Sequence, residues 1–235
     1  MSAIPMKMYK STSVSSFHDN KKRRIGIFGG SFDPPTLVHA VTASEILNFE
    51  WVNEIWFVPC GERDDRFLSN GNLRIEMLNA MLDNYFWCNR DRVKVLDTEV
   101  KNGPIMDTYD LMEQLEDENQ DCELYFIMGS ELLQSYYSWD KGQLLREKYK
   151  FIVVSRDSED FESETCLLPN KGTYLDFNFR FKLQWIDVIE RIQQNFDKLS
   201  LGVEGIVDKD VVKIIKRESL YFECGSPKMY HKYSG

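Results

Sequence analysis

A hydroxyl and an imidazole stand three residues apart at Thr36 and His39, where an apolar run ends and a helical pattern begins. That spacing puts both on one face of the first helical turn, and an imidazole there serves as a donor near neutral pH. They follow Gly29 Gly30 Ser31 Phe32 Asp33 Pro34 Pro35. The two glycines predict a sharp turn whose backbone comes within contact distance of a ligand. Strand, glycine turn and helix start together aim backbone N–H groups at an anion, and phosphate is the anion that suits the added hydroxyl and imidazole. A helix-start histidine also serves as a cap or a core residue, and both readings stay open. Of three histidines only His39 has this setting.

Two further places carry chemistry. Gly129 Ser130 Glu131 follows the apolar run Tyr125 Phe126 Ile127 Met128. A glycine there admits a nucleotide, and a carboxylate just after it accepts hydrogen bonds from ribose hydroxyls; the plain alternative is a helix start with Glu131 in its first turn. Trp139, in the polar run Ser138 Trp139 Asp140 Lys141 Gly142, either stacks a planar ligand or packs on the edge of the core. No Ser/His/Asp or Cys/His constellation is present, so nothing points to a covalent nucleophile.

The elements that must position these residues alternate. Short β-branched and aromatic runs predict strands at Ile25 to Phe28, Glu54 to Val58, Val93 to Leu96, Glu123 to Met128 and Lys150 to Ser155. Helical patterns lie between and after them, at Leu37 to Leu47, Leu73 to Leu82, Tyr109 to Leu115, Leu144 to Glu147, Trp185 to Asn195 and Lys209 to Lys216. This order predicts an α/β fold: a doubly wound parallel sheet with helices on both faces and right-handed crossovers. Ligands of such sheets bind beyond the carboxyl ends of the strands. The Gly29 and Gly129 turns lie at two such ends.

A chain of 235 residues, 43% hydrophobic and 13% aromatic, buries one good core. The expected division is a Ser-rich basic tail over 1–23, a domain over 24–222 and a second tail over 223–235. The net charge of -9 argues against nucleic acid as a partner, since that binding rests on Lys and Arg. Cys60, Cys88, Cys122, Cys166 and Cys224 lack metal-ligand spacing, and no metal site is expected. No apolar run approaches the roughly 18 residues of a membrane span. A soluble, cytoplasmic protein is expected, with nuclear or organellar targeting by the basic tail left open.

Gly30 Ser31 Phe32 Asp33 Pro34 followed by Thr36 and His39 resembles the first signature of the nucleotidylyltransferase superfamily, usually G-x-F-D/N-P-x-[H/T]-x-G-H. Val38 departs from its usual Gly. Further blocks, Arg74 x x Met77 Leu78, Thr108 Tyr109 Asp110 Leu111, Gly129 Ser130 Glu131 Leu132, Trp139, Phe151 to Arg156, and Val211 to Ile215 with Ser219 Leu220 Tyr221, resemble in order the nicotinate or nicotinamide mononucleotide adenylyltransferases. Thr36 and the Ser138 Trp139 Asp140 x Gly142 block are similar to a protozoan-parasite branch of that family.

The resemblance implies a Rossmann-like, three-layer α/β/α fold and a nucleotidyltransferase of NAD biosynthesis. Adenylyl transfer from ATP to nicotinate or nicotinamide mononucleotide would release pyrophosphate. His39 and Thr36 would be catalytic at the phosphates, with Gly29, Gly30, Ser31, Phe32, Gly129, Glu131 and Arg191 also in the ATP site. Thr108 and Trp139 would hold the pyridine ring, and Mg2+ would be held mainly by the ATP phosphates. A homo-oligomer is compatible with this reading.

The second superfamily signature, I-S-S-T/S-x-x-R, is altered here. The residues before Arg191 are Ile186 Asp187 Val188 Ile189 Glu190, without serines. Asp187 caps the late helix, holds a magnesium ion or marks a decayed site, and Arg191 is otherwise an exposed helix arginine. Two rival readings follow: a phosphopantetheine adenylyltransferase, which shares the Thr-x-x-His form, and a nucleotide-binding protein that does not catalyse.

Overall fold

The computed structural model describes residues 10–11, 22–62, 68–103, 106–155, 167–169, 171–176, 185–195 and 202–222. Most of the expected tails, together with Arg156, Cys166 and Cys224, lie outside them. The described strands are β1 (Lys10–Ser11), β2 (Arg23–Gly30), β3 (Glu54–Pro59), β4 (Val93–Val95), β5 (Cys122–Gly129), β6 (Lys150–Val154) and β7 (Gly172–Leu175). The helices are α1 (Leu37–Asn48), α2 (Gly71–Tyr85), α3 (Thr98–Asn102), α4 (Thr108–Glu118), α5 (Gly142–Lys148), α6 (Trp185–Gln194) and α7 (Lys209–Arg217). The sheet order is β1-β7-β6-β5-β2-β3-β4. The chain divides into two compact units, with β2 passing from the first to the second after Phe28.

In the first unit, residues 1–28 and 107–182, β2 pairs β5, β5 pairs β6 and β6 pairs β7, all parallel, with Ile27 opposite Phe126 and Phe126 opposite Phe151. β1 adds an antiparallel edge on β7. Leu124 to Met128 and Phe151 to Val154 are buried without alternation. Strands buried on both faces read as continuous apolar runs, which is why they were legible. α4 turns Leu111, Met112 and Leu115 inward, and α5 turns Leu145.

In the second unit, residues 29–106 and 183–235, β3 and β4 pair in parallel and Cys60 N–H donates to the Gly30 carbonyl at 2.9 Å. α2 buries Arg74, Met77, Leu78, Met81 and Leu82, an i, i+3, i+4, i+7, i+8 stripe. α7 is tied to α2 by Arg217, which grips Glu76 with both terminal nitrogens at 3.0 and 2.8 Å, and by Asn84, which donates to Asp208 and Asp210.

Each sequence-predicted strand and helix forms, with ends moved by a few residues. β1, which lies in the expected N-terminal tail, β7 and α3 were not predicted. No helix among the described residues is long and apolar enough to cross a membrane.

Candidate active site

The turn from Gly29 to His39 belongs to the second unit. Here the sequence reading of the glycines is corrected, because β2 runs straight through Gly29 and Gly30 and the chain turns at Phe32. Phe32 has φ of 48°, in the left-handed region that costs a non-glycine residue roughly 1–2 kcal/mol. Packing holds it there. Its ring is 2% exposed and meets His39 and Phe57 edge-on at 5.0 and 5.6 Å. A Cβ on Gly30 would lie 3.1 Å from that ring, so the glycine makes room for Phe32.

Thr36 is the N-cap of α1, 5% exposed. Its backbone N–H donates to His39 Nδ1 at 3.0 Å, and its hydroxyl lies 3.0 Å from the same nitrogen. An Nδ1 that accepts a backbone N–H carries no proton itself, so the neutral ring holds its proton on Nε2. The cap reading of His39 is thus met by Nδ1, and the chemical reading concerns the other nitrogen. Leu37, the first residue of α1, gives its N–H to the Ile206 carbonyl at 2.7 Å. The helix start therefore has fewer amides to offer an anion than the sequence suggested. Val38, in the place where the superfamily usually has Gly, is buried in the protein interior.

Three residues that the sequence reading gave no role hold this turn. Arg74 is 2% exposed, and it donates to the carbonyls of Ser69 at 2.9 Å, Ser31 at 3.0 Å and Cys60 at 2.7 Å. One guanidinium thus pins the turn, the exit of β3 and the approach to α2. Asp33 accepts the Ser69 N–H at 2.7 Å and the Tyr221 hydroxyl through its two oxygens. Burial, and then the Asp33 charge beside it, push the Tyr221 hydroxyl well above the usual tyrosine range. It stays a protonated donor throughout the neutral range. Arg191, on α6, is exposed, while Asp187 and Glu190 are half-buried.

The first unit holds the remaining residues. Gly129 ends β5 and Glu131 lies in a short 3-10 turn, Ser130–Leu132. A Cβ on Gly129 would overlap the Glu131 carboxylate at 2.0 Å, so the glycine lets this acid fold back over the strand end. Thr108 is the first residue of α4, half-buried. Trp139 is half-buried too and meets Phe126 and Tyr136 edge-on at 6.3 and 6.5 Å, so it rests on the core edge.

Lys141, two residues on, has φ of 53°. Its ammonium bonds both oxygens of Asp110 on α4 and lies 3.9 Å from Asp107. The Asp110 bond, the largest cause, and then the nearby carboxylates raise its pKa. The Trp139 loop and the helix that begins at Thr108 are latched together by this pair. Among the described residues no group of three or more His, Cys, Asp or Glu side chains is placed to hold a metal ion.

A profile of the cytidylyltransferase-like family matches residues 27–195, most of the chain, and leaves out Ile206 and Tyr221 among the residues that bracket the turn. The chain belongs to the cytidylyltransferase-like family, whose members are nucleotidyltransferases. It is similar to Plasmodium falciparum nicotinic acid mononucleotide adenylyltransferase in two solved structures. The one complexed with NaAD is 24% identical, covering 85% of this chain and 97% of that one, at a TM-score of 0.74; the one complexed with APC has the same identity and coverage and a TM-score of 0.71. The likeness shows the fold, a doubly wound, Rossmann-like parallel sheet in three α/β/α layers, as the sequence predicted.

Proposed function

We propose that this chain transfers the adenylyl group of ATP to nicotinate mononucleotide, releasing pyrophosphate and forming the dinucleotide. The observation that carries the reading is the Thr36–His39 pair, which fixes a ring donor at Nε2 just past the exit of β2. Membership of a nucleotidyl-transferring family and the fold likeness to an enzyme named for nicotinic acid mononucleotide support it.

In the reaction an oxygen of the mononucleotide 5′-phosphate attacks the α-phosphorus of ATP, and the bond from that phosphorus to the bridging oxygen breaks. A phosphate monoester has its second pKa at about 6, so the nucleophile is already charged and no protein base is needed. The protein's tasks are to align two anions and to meet charge growing on the leaving pyrophosphate. His39 Nε2–H takes the second task, with Thr36 and the Gly29–Phe32 backbone beside it. Arg191 is the cation assigned to the triphosphate, Gly129 and Glu131 the residues assigned to a ribose. Thr108 and Trp139 take the pyridine ring, Trp139 by stacking. Mg2+, carried on the triphosphate and water as that ion prefers, supplies charge neutralisation when bound.

Pyrophosphate release is the test, measured with ATP or CTP against nicotinate mononucleotide, nicotinamide mononucleotide and phosphopantetheine. Release with ATP and nicotinate mononucleotide is expected, with the nicotinamide form slower. Release with phosphopantetheine alone would assign the chain to the rival transferase. ATP binding by calorimetry without release from any acceptor would make it a nucleotide-binding protein.

A further inference from the structure

Tyr221 lies 188 residues from Asp33 in the chain and beyond the end of α7. Its backbone has φ of 68°, and that of Ser219 is 52°, so the segment after α7 bends back sharply. Leu220 N–H bonds the Ile215 carbonyl at 3.0 Å, and Gln193 on α6 donates to the Tyr221 carbonyl at 3.1 Å. Those bonds aim one side chain, and its hydroxyl donates to Asp33 Oδ1. Asp33 is 3% exposed and its other oxygen is occupied by Ser69 N–H. It follows Phe32, whose ring edge lies against His39, and is separated from the Thr36 cap only by two prolines.

We propose that Tyr221 is a positioning residue for His39: its hydroxyl fixes Asp33, Asp33 fixes the turn, and the turn sets the imidazole. The inference rests on the proposed adenylyl transfer for its kinetic consequence and on geometry alone for its effect on the ring. A residue at the far end of the chain is thereby part of the phosphate-facing turn. A packing role alone would be kept by phenylalanine. The positioning role would not.

The test compares Tyr221→Phe, Asp33→Asn and the double variant in the full chain, read by kcat, by KM for each substrate, by melting temperature and by the 15N tautomer signals of His39, assigned with His39→Gln. Asparagine keeps one acceptor and loses the other, so Asp33→Asn reports on the same link from its other end. Tyr221→Phe is expected to lower kcat on the order of tenfold, as a displaced reacting group does, while KM for the mononucleotide stays within about twofold. His39 should move from a single Nε2–H form toward a mixture of tautomers, and the double variant should be no slower than Asp33→Asn.

Wild-type kcat and unchanged His39 signals in Tyr221→Phe would overturn the proposal, and so would multiplicative losses in the double variant. If the unmodified chain releases no pyrophosphate, the transfer reading fails by itself. The His39 signals then still decide for or against Tyr221.

Discussion

Around Thr36 and His39 the supports are buried and bond mainly to the main chain. Arg74 holds three carbonyls and Asp33 holds an amide and a hydroxyl. Around Thr108 and Trp139 the support is an ion pair at the surface, Lys141 with Asp110, with both side chains about two-fifths exposed. A buried polar network admits one arrangement, because any departure leaves groups unpaired away from water. An exposed pair is screened and can re-form after motion. The contrast fits the two tasks proposed. Stabilising charge on a leaving group needs a donor fixed to fractions of an ångström, whereas stacking a ring tolerates sliding.

Breaking the buried side should do the most damage. Arg74→Met fills a similar volume but strands the carbonyls of Ser31, Cys60 and Ser69. A loss of about 3 kcal/mol or more is expected, seen in calorimetry as a melting temperature lower by about 6–12 °C, and activity should vanish with it. His39→Ala comes next: pyrophosphate release should fall on the order of a hundredfold or more while the melting temperature drops only slightly from the lost cap.

On the exposed side the effects belong in KM. Trp139→Ala should raise KM for the mononucleotide about tenfold, in line with about 1–3 kcal/mol for stacking one base, with kcat little changed and Trp139→Phe recovering most of the loss. Lys141→Met should raise the same KM about twofold, and added salt should weaken mononucleotide binding less steeply in the variant than in the unmodified protein. A large stability loss from Lys141→Met, or a pure KM effect from His39→Ala, would erase the contrast.

The same contrast marks what the sequence could reveal. Both-face burial made β3, β5 and β6 legible as apolar runs, and the Thr36–His39 spacing was local enough to see. β7, Gly172–Leu175, begins with a glycine and a threonine and so shows no apolar run. The turn was placed too early, at Gly29 and Gly30, because what Gly30 accommodates is a ring two residues later. Arg74 did leave a trace, since Met77, Leu78, Met81 and Leu82 place it on the buried stripe of α2 and a charge there must be satisfied by something. The Asp33–Tyr221 bond left none, as nothing local connects residues so distant in sequence.

Because Arg74 grips carbonyl oxygens, and beyond them only the Cys60 sulfur at 3.8 Å, its fastening asks little of the side chains at 31 and 69. Mutational tolerance should accordingly be lopsided, wide at 31 and 69, narrower at 60 and nil at the one guanidinium they share, so that a saturation scan would find the turn guarded by a residue 43 positions further along the chain than Ser31.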